Sequence, residues 1–215
     1  MSIDNIFKAG GIVSYPLLAF SLLAVALIVE RMIFWWRIKQ KQRRVVKEVF
    51  TLYRDNPFSA INKLKKNAQL PIARIFLEAL ELEEPTSDEF RLALESATQA
   101  ELPILRRFST IFQTIITASP LLGLLGTILG LIRSFASLDI GNAAGSNATG
   151  VTAGLSEALI STVMGLVVAI FTLLFANAFR GLYLRELALI QEYGGQLELM
   201  YRRLYEGAKN YASTK

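Results

Sequence analysis

The chain has 215 residues, enough for one or two domains. Of these, 53% are hydrophobic, and the mean hydropathy of +0.39 is high for a water-soluble protein. The formal charge is +5, and the sequence contains neither Cys nor His. That excludes disulfides, thiol nucleophiles, Ser–His pairs and the usual zinc sites, so the chain reads as a non-enzyme that needs no metal or other cofactor.

Residues 1–11 form a short leading segment. Ile12–Val29 then carries no charge, and the apolar run resumes at Met32–Trp36. A bilayer core takes about 20 apolar helical residues to cross, so 12–36 is predicted as a first transmembrane helix. It does not read as a cleaved signal peptide: the apolar stretch is too long, the leader is not basic and no small-residue cleavage site follows. Trp35 and Trp36, followed by Arg37, Lys39, Lys41, Arg43, Arg44 and Lys47, mark a cytoplasmic boundary.

Residues 37–108 read as a cytoplasmic domain of short helices. Asn56-Pro57 has the form of a helix start, and Thr86-Ser87-Asp88-Glu89 that of a capping box opening an amphipathic helix through Arg107. Pro103 and Pro120 are expected to kink or break the path into the second span. That span, 109–137, begins with Ser109–Ile132, which is free of charge. An outer loop, LDIGNAAGSNATG, covers 138–150; its Asn147-Ala148-Thr149 matches a glycosylation acceptor at the level of chance. The third span, 151–180, carries one charge up to Phe179, Glu157.

The remainder, 181–215, reads as a cytoplasmic helical tail. Tyr183, Leu187, Ile190, Gly194, Leu197, Tyr201 and Leu204 recur at spacings of four and three. That fits either an assembly seam or an ordinary amphipathic surface helix. Gly194-Gly195 is expected to weaken it. Of the 23 Lys and Arg, 14 lie between Arg37 and Arg107, six lie from Arg180 onward, and 138–152 has none. This places the N-terminus outside and the C-terminus inside, and the positive charge needs no nucleic acid to explain it. The class predicted is an all-α membrane protein.

Two stripes of small residues run along the inner spans. One comprises Ser119, Gly123, Gly126, Gly130, Ser134 and Ser137; the other Gly154, Ala158, Ser161, Gly165, Ala169, Thr172 and Ala176. Such stripes let helix backbones approach closely. One is expected to serve contact within the chain, leaving the other for a neighbouring subunit or a central helix. The first span has no such stripe and is expected to face lipid. Thr127 and Thr162 both fall about 5 Å to the outer side of their span midpoints. Their hydroxyls can bond to backbone, to each other or to something in a pore. Arg133 and Glu157 fall about 15 Å and about 12 Å above the midpoints, nearly level. They pair, or else Arg133 reaches the headgroups and Glu157 bonds to water or a hydroxyl.

SPLLGLLGTILGLIRSF (119–135) with GLSEALISTVMGLVVAI (154–170) resembles the paired signature of the ExbB/TolQ/MotA proton-channel family. Three spans fit its ExbB/TolQ branch, since MotA proteins have four. The likeness is specific over roughly 105–180, looser over the first span, where Val29-Glu30-Arg31 also fits, and weak over 37–86. It implies a homopentamer around the membrane helices of two ExbD- or TolR-like partners, each carrying an essential membrane Asp, with a TonB- or TolA-like protein beyond. It also implies that Thr127 is the pore threonine of the second span, that Glu157 and Thr162 are the Glu and Thr of the third, and that Asn177 is an Asn near its inner end. Phe171 departs from the pattern, standing where relatives often have Pro, and implies a straighter third helix. Arg133 stands where some relatives have a neutral residue.

A proton conductor needs a titratable group near the membrane middle. This chain has only Glu157, towards the outer surface, so it reads as half of a channel whose central carrier comes from a partner. The function expected is a proton-channel subunit of an inner-membrane motor that uses the proton motive force to energise an envelope process such as TonB-dependent uptake. Alternatives are a Tol-type envelope-maintenance motor or a self-sufficient ion channel or transporter. A transporter would show internal repeats or broken helices, and none is found. A structural scaffold would not need a charge in lipid.

Overall fold

The computed structural model describes residues 11–136 and 147–213, with side chains described for all of these but 147–149 and 205–213. The leading segment before Gly11, Ser137, most of the 138–150 loop and the Asn-Ala-Thr side chains lie outside the described residues. Those described form six helices and no strand: α1 (Ser14–Asp55), α2 (Pro57–Lys65), α3 (Pro71–Leu80), α4 (Ser87–Leu105), α5 (Ser109–Ala136) and α6 (Asn147–Ser213). Three of the helical segments are long and apolar enough to cross a membrane. The chain divides into two compact units. One combines Met1–Arg31 with Phe108–Phe179, the other Met32–Arg107 with Arg180–Lys215.

In the first unit, α5 and α6 pack antiparallel through their small residues. A Cβ added at Gly123 would lie 3.0 Å from the Ser161 carbonyl oxygen, and one added at Gly130 would lie 2.7 Å from that of Gly154. Ser119, Ser161 and Thr172 are fully buried in this contact. The two stripes therefore meet each other within one chain. This corrects the expectation that one of them is left over for a neighbour: two helices without bulky side chains gain most from backbone contact when both surfaces are small.

The opposite faces remain bare. Leu121, Leu124, Ile128 and Ile132 on α5 are exposed, as are Leu159, Val163, Val167, Ile170 and Leu174 on α6. Both series follow helical spacing. Apolar faces of this length are stable only against lipid or another membrane helix, and the chain is a multi-pass membrane protein. The start of α1 is not wholly lipid-facing. Val13, Leu17, Ala24 and Ile28 are buried, and Leu22, Leu23, Val25 and Val29 are exposed. Apolar side chains four apart can bury one edge of a helix without any small stripe.

Of the kink or break expected at the two prolines, the break does not occur. Pro103 sits in the last turn of α4, and α5 runs through Pro120. The interruption is at Arg106–Phe108, where Phe108 takes a left-handed φ of 67°. α6 likewise runs unbroken past Phe171, whose ring packs 4.9 Å from that of Phe175.

In the second unit the helix starts follow the local sequence. Asn56 caps α2, its side chain accepting from Phe58 N at 3.0 Å and Ser59 N at 3.3 Å, with Pro57 in the first turn. Thr86 and Glu89 form a reciprocal capping box on α4. The Thr86 hydroxyl and backbone N–H both donate to Glu89, which lowers its carboxyl pKa. The seam on α6 is used inside the chain. Tyr183, Ile190 and Leu197 are buried. Phe50 packs between Phe76 and Tyr193. Phe90 stacks on Tyr201 at 4.2 Å, and the Tyr201 hydroxyl donates to the Pro85 carbonyl. Only Leu204, at its end, is left exposed. Gly194 and Gly195 stay helical, with nothing within 4 Å of an added Cβ.

Candidate functional site

The two threonines meet on the α5–α6 contact. Stripe glycines bring the backbones together, and the threonines stand beside them at the half-buried edge. The Thr127 and Thr162 hydroxyls hydrogen-bond to each other. Thr127 also reaches Gly123 O at 3.2 Å and Ala158 O at 3.3 Å, and Thr162 reaches Gly123 O at 3.1 Å. Each hydroxyl has one proton to donate. One proton serves the mutual bond and the other goes to a carbonyl, and the bond can run in either direction because both ends have a carbonyl acceptor. Such a pair can pass a hydrogen bond along but cannot hold a net charge. Ser161, missed as a polar member by the sequence reading, lies next to them and donates to Ala158 O at 2.9 Å. Its place in a small-residue stripe concealed its hydroxyl.

Arg133 and Glu157 are brought together on the same helix pair, beyond the threonines towards the end of α5. Arg133 Nη1 donates to Glu157 Oε1. The Glu157 side chain is 18% exposed and that of Arg133 is 53% exposed. Gly11 also reaches this place. It has a φ of +66°, and a Cβ there would run into the Glu157 carboxylate. The sequence signal was the Gly10-Gly11 pair just ahead of the first apolar run. Next along α5, Ser134 Oγ donates to Val151 O at 3.0 Å. Asn177 is exposed and lies apart from both clusters. Among the described residues, no group of His, Cys, Asp or Glu is arranged to hold a metal ion.

Residues 67–192, which include both threonines, Arg133 and Glu157, match the model of the MotA/TolQ/ExbB proton channel family. The chain belongs to that family. Its similarity to ExbB-like protein 3 of Synechocystis sp. is 68% identity over 96% of this chain and all of that one. ExbB-like protein 1 of the same organism is 38% identical over 93% of this chain and 79% of its own length. Both carry names in biopolymer transport. A TolQ protein of the Tol-Pal system, from Haemophilus influenzae, is 32% identical over 49% of this chain and 44% of that one. These likenesses place the chain on the ExbB/TolQ branch of the proton channel family, as a membrane transport-motor subunit in the general sense.

Proposed function

We propose that the chain is the channel-forming subunit of an inner-membrane motor that draws on the proton motive force. Thr127 and Thr162 line the proton path, and Glu157 stands near its outer mouth. The observation that carries this reading is the hydroxyl pair. It sits between two spans whose only charges, up to Phe179, are Arg133 and Glu157. Hydroxyls relay protons but do not store them at physiological pH, so the storing carboxylate belongs to a partner, a single-span ExbD- or TolR-like protein with a membrane Asp. The glycine stripes being used up within the chain, the bare apolar faces of α5 and α6 are what remains for a homopentamer, with α6 innermost. The process powered is TonB-type uptake or Tol-type envelope maintenance, the first favoured by the ExbB-like names of the relatives aligned over most of the chain. The basic clusters after α1's apolar run and in the tail support an outside N-terminus and a cytoplasmic C-terminus.

The test is proton uptake by liposomes containing the purified chain, alone and with a co-expressed single-span partner bearing a membrane Asp. Uptake is expected only with the partner, in a complex whose native mass contains five copies of this chain. Uptake by the chain alone would make it a self-sufficient channel. A stable monomer or dimer in the complex would rule out the pentamer.

A further inference from the structure

In the second unit, away from the threonines, a carboxyl group is buried without a cation. Glu186 on α6 is 6% exposed, and Gln42 on α1, whose amide nitrogen donates to Glu186 Oε1, is 3% exposed. The other end of the same amide, Gln42 Oε1, is buried with no hydrogen-bond partner. Among the described residues no cation comes within ion-pair distance of Glu186. Lys39 and Arg43 on α1 and Arg185 on α6 are exposed. Arg106, at the end of α4, lies 4.6 Å over the ring of Tyr183, one turn before Glu186. An ionised carboxylate here lacks a counter-charge, and the amide oxygen lacks a donor. Each is costly in an apolar interior.

One proton removes both faults. A neutral carboxyl keeps its carbonyl oxygen for the amide N–H and gains an O–H, the donor that the amide oxygen lacks. Turning the Gln42 amide over does not change the conclusion. Its oxygen would then face the carboxyl and would need that O–H for any bond at all.

We propose that Gln42 and Glu186 form a proton-binding site, separate from the threonine pair, in which Glu186 is a neutral acid joined to the Gln42 carboxamide by two reciprocal hydrogen bonds. Burial raises the carboxyl pKa from its usual 4.5, with the amide hydrogen bond opposing. Loss of the proton leaves a bare charge between α1 and α6 and loosens their contact. The sign follows from linkage: the folded state holds the proton more tightly than the unfolded state. The stabilisation is therefore complete below about pH 4.5 and is lost as pH rises towards the raised value. The site stands whether or not the chain conducts protons, because its test reads protonation and stability rather than transport.

The test uses the full chain in detergent. Infrared spectra of the wild type, followed as pH rises from about 4.5, are expected to keep a protonated-carboxyl C=O stretch that is absent from Glu186→Gln. The thermal midpoint of the wild type should fall, as pH rises above about 4.5, more steeply than that of Glu186→Gln, whose amide can still pair with Gln42 without titrating. Gln42→Leu should move the infrared band to higher frequency, because the neutral acid loses both of its hydrogen bonds to the amide. A wild-type spectrum that Glu186→Gln leaves unchanged, or two midpoints that fall in parallel, would overturn the site.

Discussion

Gly130 and Gly154 face each other across the α5–α6 contact. A Cβ on Gly130 would lie 2.7 Å from the Gly154 carbonyl oxygen, and a Cβ on Gly154 would lie 2.8 Å from that of Gly130. Neither obstacle is a flexible side chain. Adding a methyl group to either must push two helix backbones apart.

Ala ordinarily favours a helix over Gly by about 1 kcal/mol. At Gly130 and Gly154 that gain is outweighed, since overpacking costs about 1–3 kcal/mol and the yielding atoms are backbone. Gly130→Ala and Gly154→Ala are each expected to lower the thermal midpoint of the chain in detergent. Gly195→Ala, with nothing within 4 Å of the added carbon, should raise it by the propensity gain. Equal responses at the three positions would mean that the α5–α6 contact is looser than described.

Thr127→Val and Thr162→Val keep the side-chain shape and remove the hydroxyl. Each should reduce partner-dependent proton uptake by roughly tenfold or more, about 1.4 kcal/mol in barrier, while leaving the native mass of the complex unchanged. Thr→Ser at the same positions, which keeps the hydroxyl, should retain most of the uptake. Full uptake in both Val variants would reduce the pair to a packing contact.

Arg133 and Glu157 are expected to couple. Arg133→Glu alone and Glu157→Arg alone each set like charges together, and the double exchange should recover part of the loss. Because the Arg133 side chain is 53% exposed, the coupling should be modest, about 0.5–1 kcal/mol. It is read from the melting of the four proteins in a double-mutant cycle. Strictly additive losses would show that the bond does not persist in solution.

In the second unit, Arg74 grips Glu101 with two nitrogens, at 2.5 Å and 2.6 Å, and donates a third bond to Ala68 O at 2.7 Å. The carboxylate raises the Arg74 pKa above its already high ordinary value. Arg74→Met strands the carboxylate of Glu101, whose side chain is 10% exposed. It should cost about 3 kcal/mol, at the lower end for a buried pair because Arg74 is a third exposed. Arg74→Lys should recover only part, since an ammonium group cannot make the two-nitrogen grip. Denaturant midpoints of the three chains check the order.

The three apolar helices, the caps at Asn56 and Thr86 and the two small-residue stripes follow from the sequence alone. Each depends on local spacing or on the apolar length that a bilayer demands. The residues that carry the family likeness were also readable there, because they cluster in two short segments. What the small stripes touch was not readable. A glycine stripe states that something comes close, and only the antiparallel packing of α5 on α6 shows that the two stripes meet. The same holds for the hydroxyls of Thr127 and Thr162, 35 positions apart, and for the seam on α6, which Phe90 covers at Tyr201 from within the chain. Gln42 and Glu186 gave no local signal at all. Each stands in a charged, helical stretch that reads as solvated, and its burial is set by helices 144 positions apart in the chain. Spacing along a helix determines which side chains share a face. Which face is covered, and what then happens to a carboxyl group on it, is decided only when distant helices exclude water from it.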